Sequence, residues 1–140
     1  MQITNRVQPS AAQVEAFFGA AEDGPFVMVN LLKFKPRAEY ADGSSAALTG
    51  AQAYMRYGMA VGALVKGVGG RIGYAGPVTA LMLGEIDQAD ELWDMVALAE
   101  YPSLAAMREM VMSPAYQALA VHRIAGLAGQ LNIKTRGTLG

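Results

Sequence analysis

The run Phe26–Phe34, FVMVNLLKF, constrains this chain more than any other stretch. It is mostly apolar at odd and even positions alike. Successive side chains of a strand point to opposite faces, so a strand with this pattern must be covered on both sides. Asn30 is the polar exception, on the face of Met28, Leu32 and Phe34. Residues 78–85, containing VTALML, and residues 93–101, containing MVALA, read as strands of the same kind. A sheet built from such strands needs two covers.

Helices supply one of them. Ser10 and Gln13 form a capping box that opens a helix over residues 9–22. Val14, Phe17, Phe18 and Ala21 follow helical spacing, and the Glu22-Asp23-Gly24-Pro25 cluster ends it. Thr49 and Gln52 form a second capping box. Tyr54, Tyr57, Gly58, Val61, Leu64, Val65 and Val68 trace one face of the helix that follows, which stops at Gly67 or at Gly69-Gly70. Strand segments at 71–75 and 78–85 are broken by Gly76-Pro77, as a bent strand or a small hairpin. An acidic connection, 86–92, leads to strand 93–101, which Pro102 ends. Ser103 caps a helix over 104–112. Ser113, with Pro114 at the first helical position, opens a helix over 114–125. Residues 130–136 alternate in character and read as an edge strand.

The order is a helix and then β-α-β-β-α-β, the split-βαβ or ferredoxin-like pattern. The expected fold is α+β, a single domain over residues 1–140. It has a four-stranded antiparallel sheet, an extra N-terminal helix at 9–22 and a core at 26–136. Helices roof one face of that sheet and leave the other bare. At about 25 cal/mol per Å², exposing a few hundred Å² costs on the order of 10 kcal/mol. A second copy docking sheet to sheet would relieve it, so a homodimer through the sheet face is expected.

Composition agrees. Hydrophobic residues make up 53% and charged residues 16%, against about 25% charged in ordinary domains. So little polar surface points to burial against a partner or around a pocket. The net charge of −1, with no basic run, lacks the electrostatic footprint of nucleic-acid binding. The absence of cysteine excludes disulfides, Cys-based zinc sites and a thiol nucleophile. No apolar run of about 20 residues reads as a membrane span. MQITNRVQPS has no apolar signal core, so a soluble cytoplasmic protein is expected. The glycines of GVGGRIG do not follow GxGxxG spacing. They come after a helix and before a strand, the reverse of a dinucleotide-binding turn.

Several pieces together resemble the DUF1330 family of the dimeric α/β-barrel superfamily. They are VNLLKFK at 29–35, AYMRYG at 53–58, GGRIGYAGP at 69–77, AEYPS at 99–103, SPAYQ at 113–117 and HRIAGL at 122–127. Ala115 departs from a pattern in which many members carry Glu. The resemblance implies a ferredoxin-like protomer that dimerises through its sheet, and no assigned reaction. The wider superfamily includes cofactor-independent monooxygenases, muconolactone isomerases and haem-using enzymes. Haem-degrading members use an Asn, a Trp and an axial His. Asn30, Trp93 and His122 would stand in those roles here, with a longer Trp-to-His separation.

His122, the sole histidine, suits acid–base work near neutrality; otherwise it is a polar helix residue bonded to backbone or water. Asn30 must find hydrogen-bond partners inside an apolar strand, either in a neighbouring loop or on a ligand. Glu100, at a strand end, is a general base if buried, or the partner of Arg71 or Arg123. Arg71 binds an acidic substrate group or a surface carboxylate. Tyr54 and Tyr57 share an apolar helix face, as core residues or as hydrogen-bond donors to a ligand. Trp93 reads as core or interface. One His among scattered carboxylates gives no metal-ligand spacing, and no GxSxG nucleophile turn occurs. The expected function is binding of a small organic molecule in an apolar pocket between sheet, helices and the long 35–49 loop, without a cofactor. Catalysis there would be cofactor-independent oxygenation or isomerisation, with His122, Asn30 and Glu100 as catalytic residues. Tyr54, Tyr57, Arg71, Arg123 and Trp93 would contact substrate. The alternative is a non-catalytic carrier.

Overall fold

The computed structural model describes residues 2–140. Its elements are α1 Ala11–Gly19, β1 Phe26–Phe34, α2 Gly50–Gly67, β2 Arg71–Pro77, β3 Met95–Tyr101, α3 Leu104–Val111, α4 Pro114–Gly126 and β4 Leu127–Arg136. The strands form one sheet in the order β2-β3-β1-β4, each neighbouring pair antiparallel. This is the ferredoxin-like α+β fold with one helix ahead of it. The strands that are apolar on both faces, β1 and β3, take the centre. The glycine-rich β2 and the alternating β4 take the edges.

Each of the four helix starts is capped as its sequence demands. Ser10 with Gln13 and Thr49 with Gln52 form reciprocal capping boxes. The Ser103 and Ser113 hydroxyls accept the N–H of Ala106 and Tyr116. The Glu22 carboxylate accepts the Leu104 and Ala105 N–H at 2.8 and 3.0 Å, tying the α1–β1 connection to the positive end of α3.

One face of the sheet is sealed by helices. Phe26, Met28, Ala99 and Tyr101 pack with Val61, Val65, Leu104, Met107 and Met110. Leu32, Tyr54 and Leu127 form a second cluster with Val7, Phe34, Tyr57 and Met95 against it. At Gly50 and Gly126, α2 and α4 touch backbone to backbone. A Cβ on Gly50 would stand 2.7 Å from the Gly126 carbonyl oxygen, and one on Gly126 2.7 Å from the Tyr54 nitrogen. Glycine at both positions lets the helices close over the sheet.

The strand expected at 78–85 does not form. β2 ends at Pro77, and Val78 donates to the Asp94 carbonyl at 2.9 Å. Asp94 is itself held to the end of β1: its N–H donates to Leu32 O at 2.7 Å, and its carboxylate accepts the Phe34 N–H at 2.8 Å and the Lys33 ammonium at 3.2 Å. Residues before Asp94 are therefore turned out of the sheet, and 78–85 has no strand opposite it. Leu81, Met82 and Leu83 stand 46, 101 and 86% exposed. For the same reason β3 begins at Met95, and Trp93 precedes it. The first helix stops at Gly19, three residues early, and β4 follows α4 directly at Leu127. The 35–49 loop is closed by backbone bonds: Ala38 to Leu48 at 2.9 Å, Glu39 to Ala125 at 3.0 Å and Gly50 to Lys35 at 3.1 Å.

Candidate functional site

Asn30 lies mid-strand in β1, facing the helices. Its side-chain amide donates to the Ala97 carbonyl at 3.2 Å, and its Oδ1 accepts Gln130 Nε2 at 2.8 Å. Gln130 Oε1 in turn accepts Arg123 Nη1 at 2.8 Å. A polar chain thus runs from α4 through β4 into the centre of the sheet. Its part-buried amides both have hydrogen-bond partners. Among the described residues no carboxylate lies within ion-pair distance of Arg123, and Gln130 is its one side-chain hydrogen-bond partner.

Three tyrosines roof this chain. Tyr54 and Tyr57 sit on α2 with ring centroids 5.5 Å apart. Tyr57 meets Tyr116 of α4 edge-on at 6.0 Å, their hydroxyls 3.2 Å apart. Phe34 lies 5.3 Å from the Tyr54 ring. Burial pushes the Tyr54 phenol up to about 12, opposed by the positive charge of Arg123. Burial raises Tyr57 too, with Tyr116 adding to it. Tyr54 and Tyr57 are therefore neutral hydroxyls at pH 7. The cluster holds one cation, two amides and three phenols. It contains neither imidazole nor carboxylate, the side chains that usually exchange protons near neutrality.

The structure therefore gathers four of the residues singled out in the sequence, Asn30, Tyr54, Tyr57 and Arg123. It adds Gln130 and Tyr116. Tyr116 was findable, since it lies seven residues before Arg123 on the same helix face. Gln130 was not, because one glutamine in an alternating edge strand looks like any other.

The remaining candidates lie elsewhere. His122 precedes Arg123 by one residue, about 100° around the helix. Its Nδ1 meets the Tyr40 hydroxyl of the 35–49 loop at 2.7 Å. Arg56 Nη1 donates to the same hydroxyl at 3.5 Å and stacks over the Tyr40 ring at 5.9 Å. His122 thus fastens the loop. Glu100 pairs with Arg71 at 3.5 Å, and its register partner Val27 places it on the face opposite Asn30. Leu139 N–H donates to Glu100 Oε2 at 3.1 Å, and Arg71 Nη2 to the Gly140 carbonyl at 3.2 Å. Trp93 sits half-buried ahead of β3. Among the described residues Asn30, Trp93 and His122 share no hydrogen-bond or aromatic partner.

Two shallow concavities among the described residues lie outside the cluster. One runs along Leu81, Glu85, Ile86 and Leu92, the other along Ala12, Glu15 and Gly19. Among the described residues no helix is long and apolar enough to cross a membrane.

Solved structures similar to the chain include two of the RPA0582 protein. The methylated protein is 36% identical, with TM-score 0.83 and 97% of each chain covered. The RPA0582 protein of unknown function from Rhodopseudomonas palustris is 34% identical, with TM-score 0.81, covering 98% of this chain and 100% of that one. A DABB-family protein with a ferredoxin-like fold from Mesorhizobium loti is 13% identical, with TM-score 0.49, covering 83% and 99%. No curated protein matches the chain. Residues 40–134 match the domain of unknown function DUF1330, and the chain belongs to that family.

Proposed function

We propose that the protein is a homodimer that binds a small organic molecule between its helical layer and its sheet, at the Arg123–Gln130–Asn30 chain. The observation that carries the reading is that chain itself: connected, part-buried polar groups beside an aromatic cluster, ending in a guanidinium with no carboxylate partner among the described residues. A core built for stability alone has little use for it, since buried polar groups contribute little net stability even when paired. Binding without turnover is the reading the geometry favours. A monooxygenase or isomerase needs a proton acceptor beside the ligand. The imidazole is engaged with Tyr40 on the loop side, and Glu100 lies across the sheet. A cytoplasmic location is part of the same proposal.

Dimerisation is supported by the second face of the sheet. Tyr74, Leu98, Val29 and Ile133 form one cross-strand row, and Val96, Leu31 and Leu131 the next. No helix lies over these rows. Tyr74 is 55% and Ile133 45% exposed. The C-terminal residues cross the row of Arg71, Glu100 and Val27, and Leu139 reaches Gly73 of β2. Two copies placed face to face would bury both apolar rows.

Mass spectrometry of co-purified small molecules, followed by NMR titration, tests the binding site. The expected result is a shift of the Asn30 and Gln130 side-chain amides, with weaker binding in Asn30→Ala. Shifts confined to His122 and Tyr40, or to the Leu81–Leu92 concavity, would place the site elsewhere.

A further inference from the structure

We infer that the ligand carries an anionic oxygen, a carboxylate or enolate, seated by Arg123 and the Tyr54 hydroxyl; this rests on the interior site proposed above. Arg123 has five N–H donors in a planar fork that matches a carboxylate. One of its nitrogens is engaged by Gln130. Gln130 is held by Asn30, and Asn30 by the Ala97 carbonyl, so the guanidinium is oriented from behind. The Tyr54 hydroxyl makes no hydrogen bond to any described residue, and no buried side-chain oxygen among them lacks a partner, so this hydroxyl reaches the surface and is open to a ligand. Tyr54 packs against Leu32, the register partner of the Gln130 that holds Arg123, and its backbone lies on Gly126, one helical turn beyond Arg123, so both side chains belong to the same corner of the fold. A neutral phenol beside a cation donates to an anion and does not repel it. The flanking rings of Phe34 and Tyr57 suit a flat apolar body attached to that anion.

Val7 packs on the Leu32–Tyr54–Leu127 cluster. Its segment meets β4 through the backbone bond from Arg6 N–H to the Gln130 carbonyl, at 3.4 Å, and through Asn5 at Gly129. Val7 is therefore a reporter for a ligand seated on this cluster.

The test is calorimetric titration at pH 7 with benzoate, its neutral counterpart benzamide, and inorganic phosphate, alongside NMR. Charge-assisted hydrogen bonds of this kind are worth about ten- to a hundredfold in affinity. Benzoate should bind at least about tenfold tighter than benzamide, shifting the Val7 methyl and the Asn30 and Gln130 amide signals. Arg123→Gln should remove that preference, benzoate and benzamide binding the variant equally. Tyr54→Phe should weaken benzoate several-fold, and more than benzamide. Arg123→Lys, which keeps the charge, should retain most of the preference and guards against a folding defect in Arg123→Gln. Equal binding of benzoate and benzamide, with Asn30 and Gln130 shifting, would overturn the anion seat and leave the interior site standing. Phosphate binding as tightly as benzoate would also overturn it, in favour of an adventitious ion only. No shift at Asn30 and Gln130 with any probe would overturn both.

Discussion

The two faces of the sheet are built from the same kind of residue and meet different fates. On the helix side Phe26 and Leu32 are fully buried, and Met28 and Ala99 nearly so. On the other side Val29, Leu31, Val96 and Leu98 are only half-buried, and Ile133 is 45% exposed. The difference is one of cover. α2, α3 and α4 all lie on one side because both βαβ crossovers place their helices there. α1, at nine residues, packs Phe17 and Phe18 onto the same core. Hydrophobicity alone therefore does not say where stability resides; the neighbours do.

The contrast should be largest in unfolding. Phe26→Ala empties a fully enclosed site and should cost about 3–5 kcal/mol in a urea melt. Ile133→Ala should cost under about 1 kcal/mol in the monomer. A cost for Ile133→Ala that grows with protein concentration would show that a second copy covers this face. Assembly gives the next effect. Light scattering should report twice the 14.8 kDa of one chain. Leu98→Lys should return it to a single chain with the helix content intact. A wild-type chain that stays monomeric, stable and unaggregated at micromolar concentration would remove the dimer.

Alkaline pH separates the faces again. Burial on the helix side raises the phenols of Tyr54, Tyr57 and Tyr101. The folded chain holds these protons more tightly than the unfolded one. Their contribution is complete below the ordinary value of 10 and is lost as pH rises from there through about 12 for Tyr54. Stability should fall across that window, and less steeply in Tyr54→Phe. The smallest effect belongs to the loop. Tyr40→Phe, removing the His122 hydrogen bond, should cost about 1 kcal/mol. It should speed proteolysis within 35–49 and leave ligand binding at Arg123 unchanged.

Much of this was legible in the residues. The reciprocal capping boxes, the Pro114 start and the period of α2 are local signals, and they form as read. The element order led to the ferredoxin-like topology, because few arrangements cover strands such as β1. The segment 78–85 was misread because an apolar run has strand character with or without a partner. Its exclusion depends on Asp94, which bonds to the end of β1 some 60 residues earlier. Four of the six candidate-site residues were legible as well. Asn30 is conspicuous in an apolar strand, while Gln130 has meaning only through register, which places it near Asn30.

The sequence by itself determined where helices begin, that β1 is apolar on both faces and that such faces need cover. These follow from interactions within a few residues and from side-chain periodicity. Tertiary structure alone decided that adjacent His122 and Arg123 serve different places, that Glu100 lies across the sheet from Asn30, and that Arg123 is left without an anion. The reason is geometric. Helix rotation and strand register convert neighbours in sequence into strangers in space, and a hydrogen-bonded chain exists only once distant elements have packed.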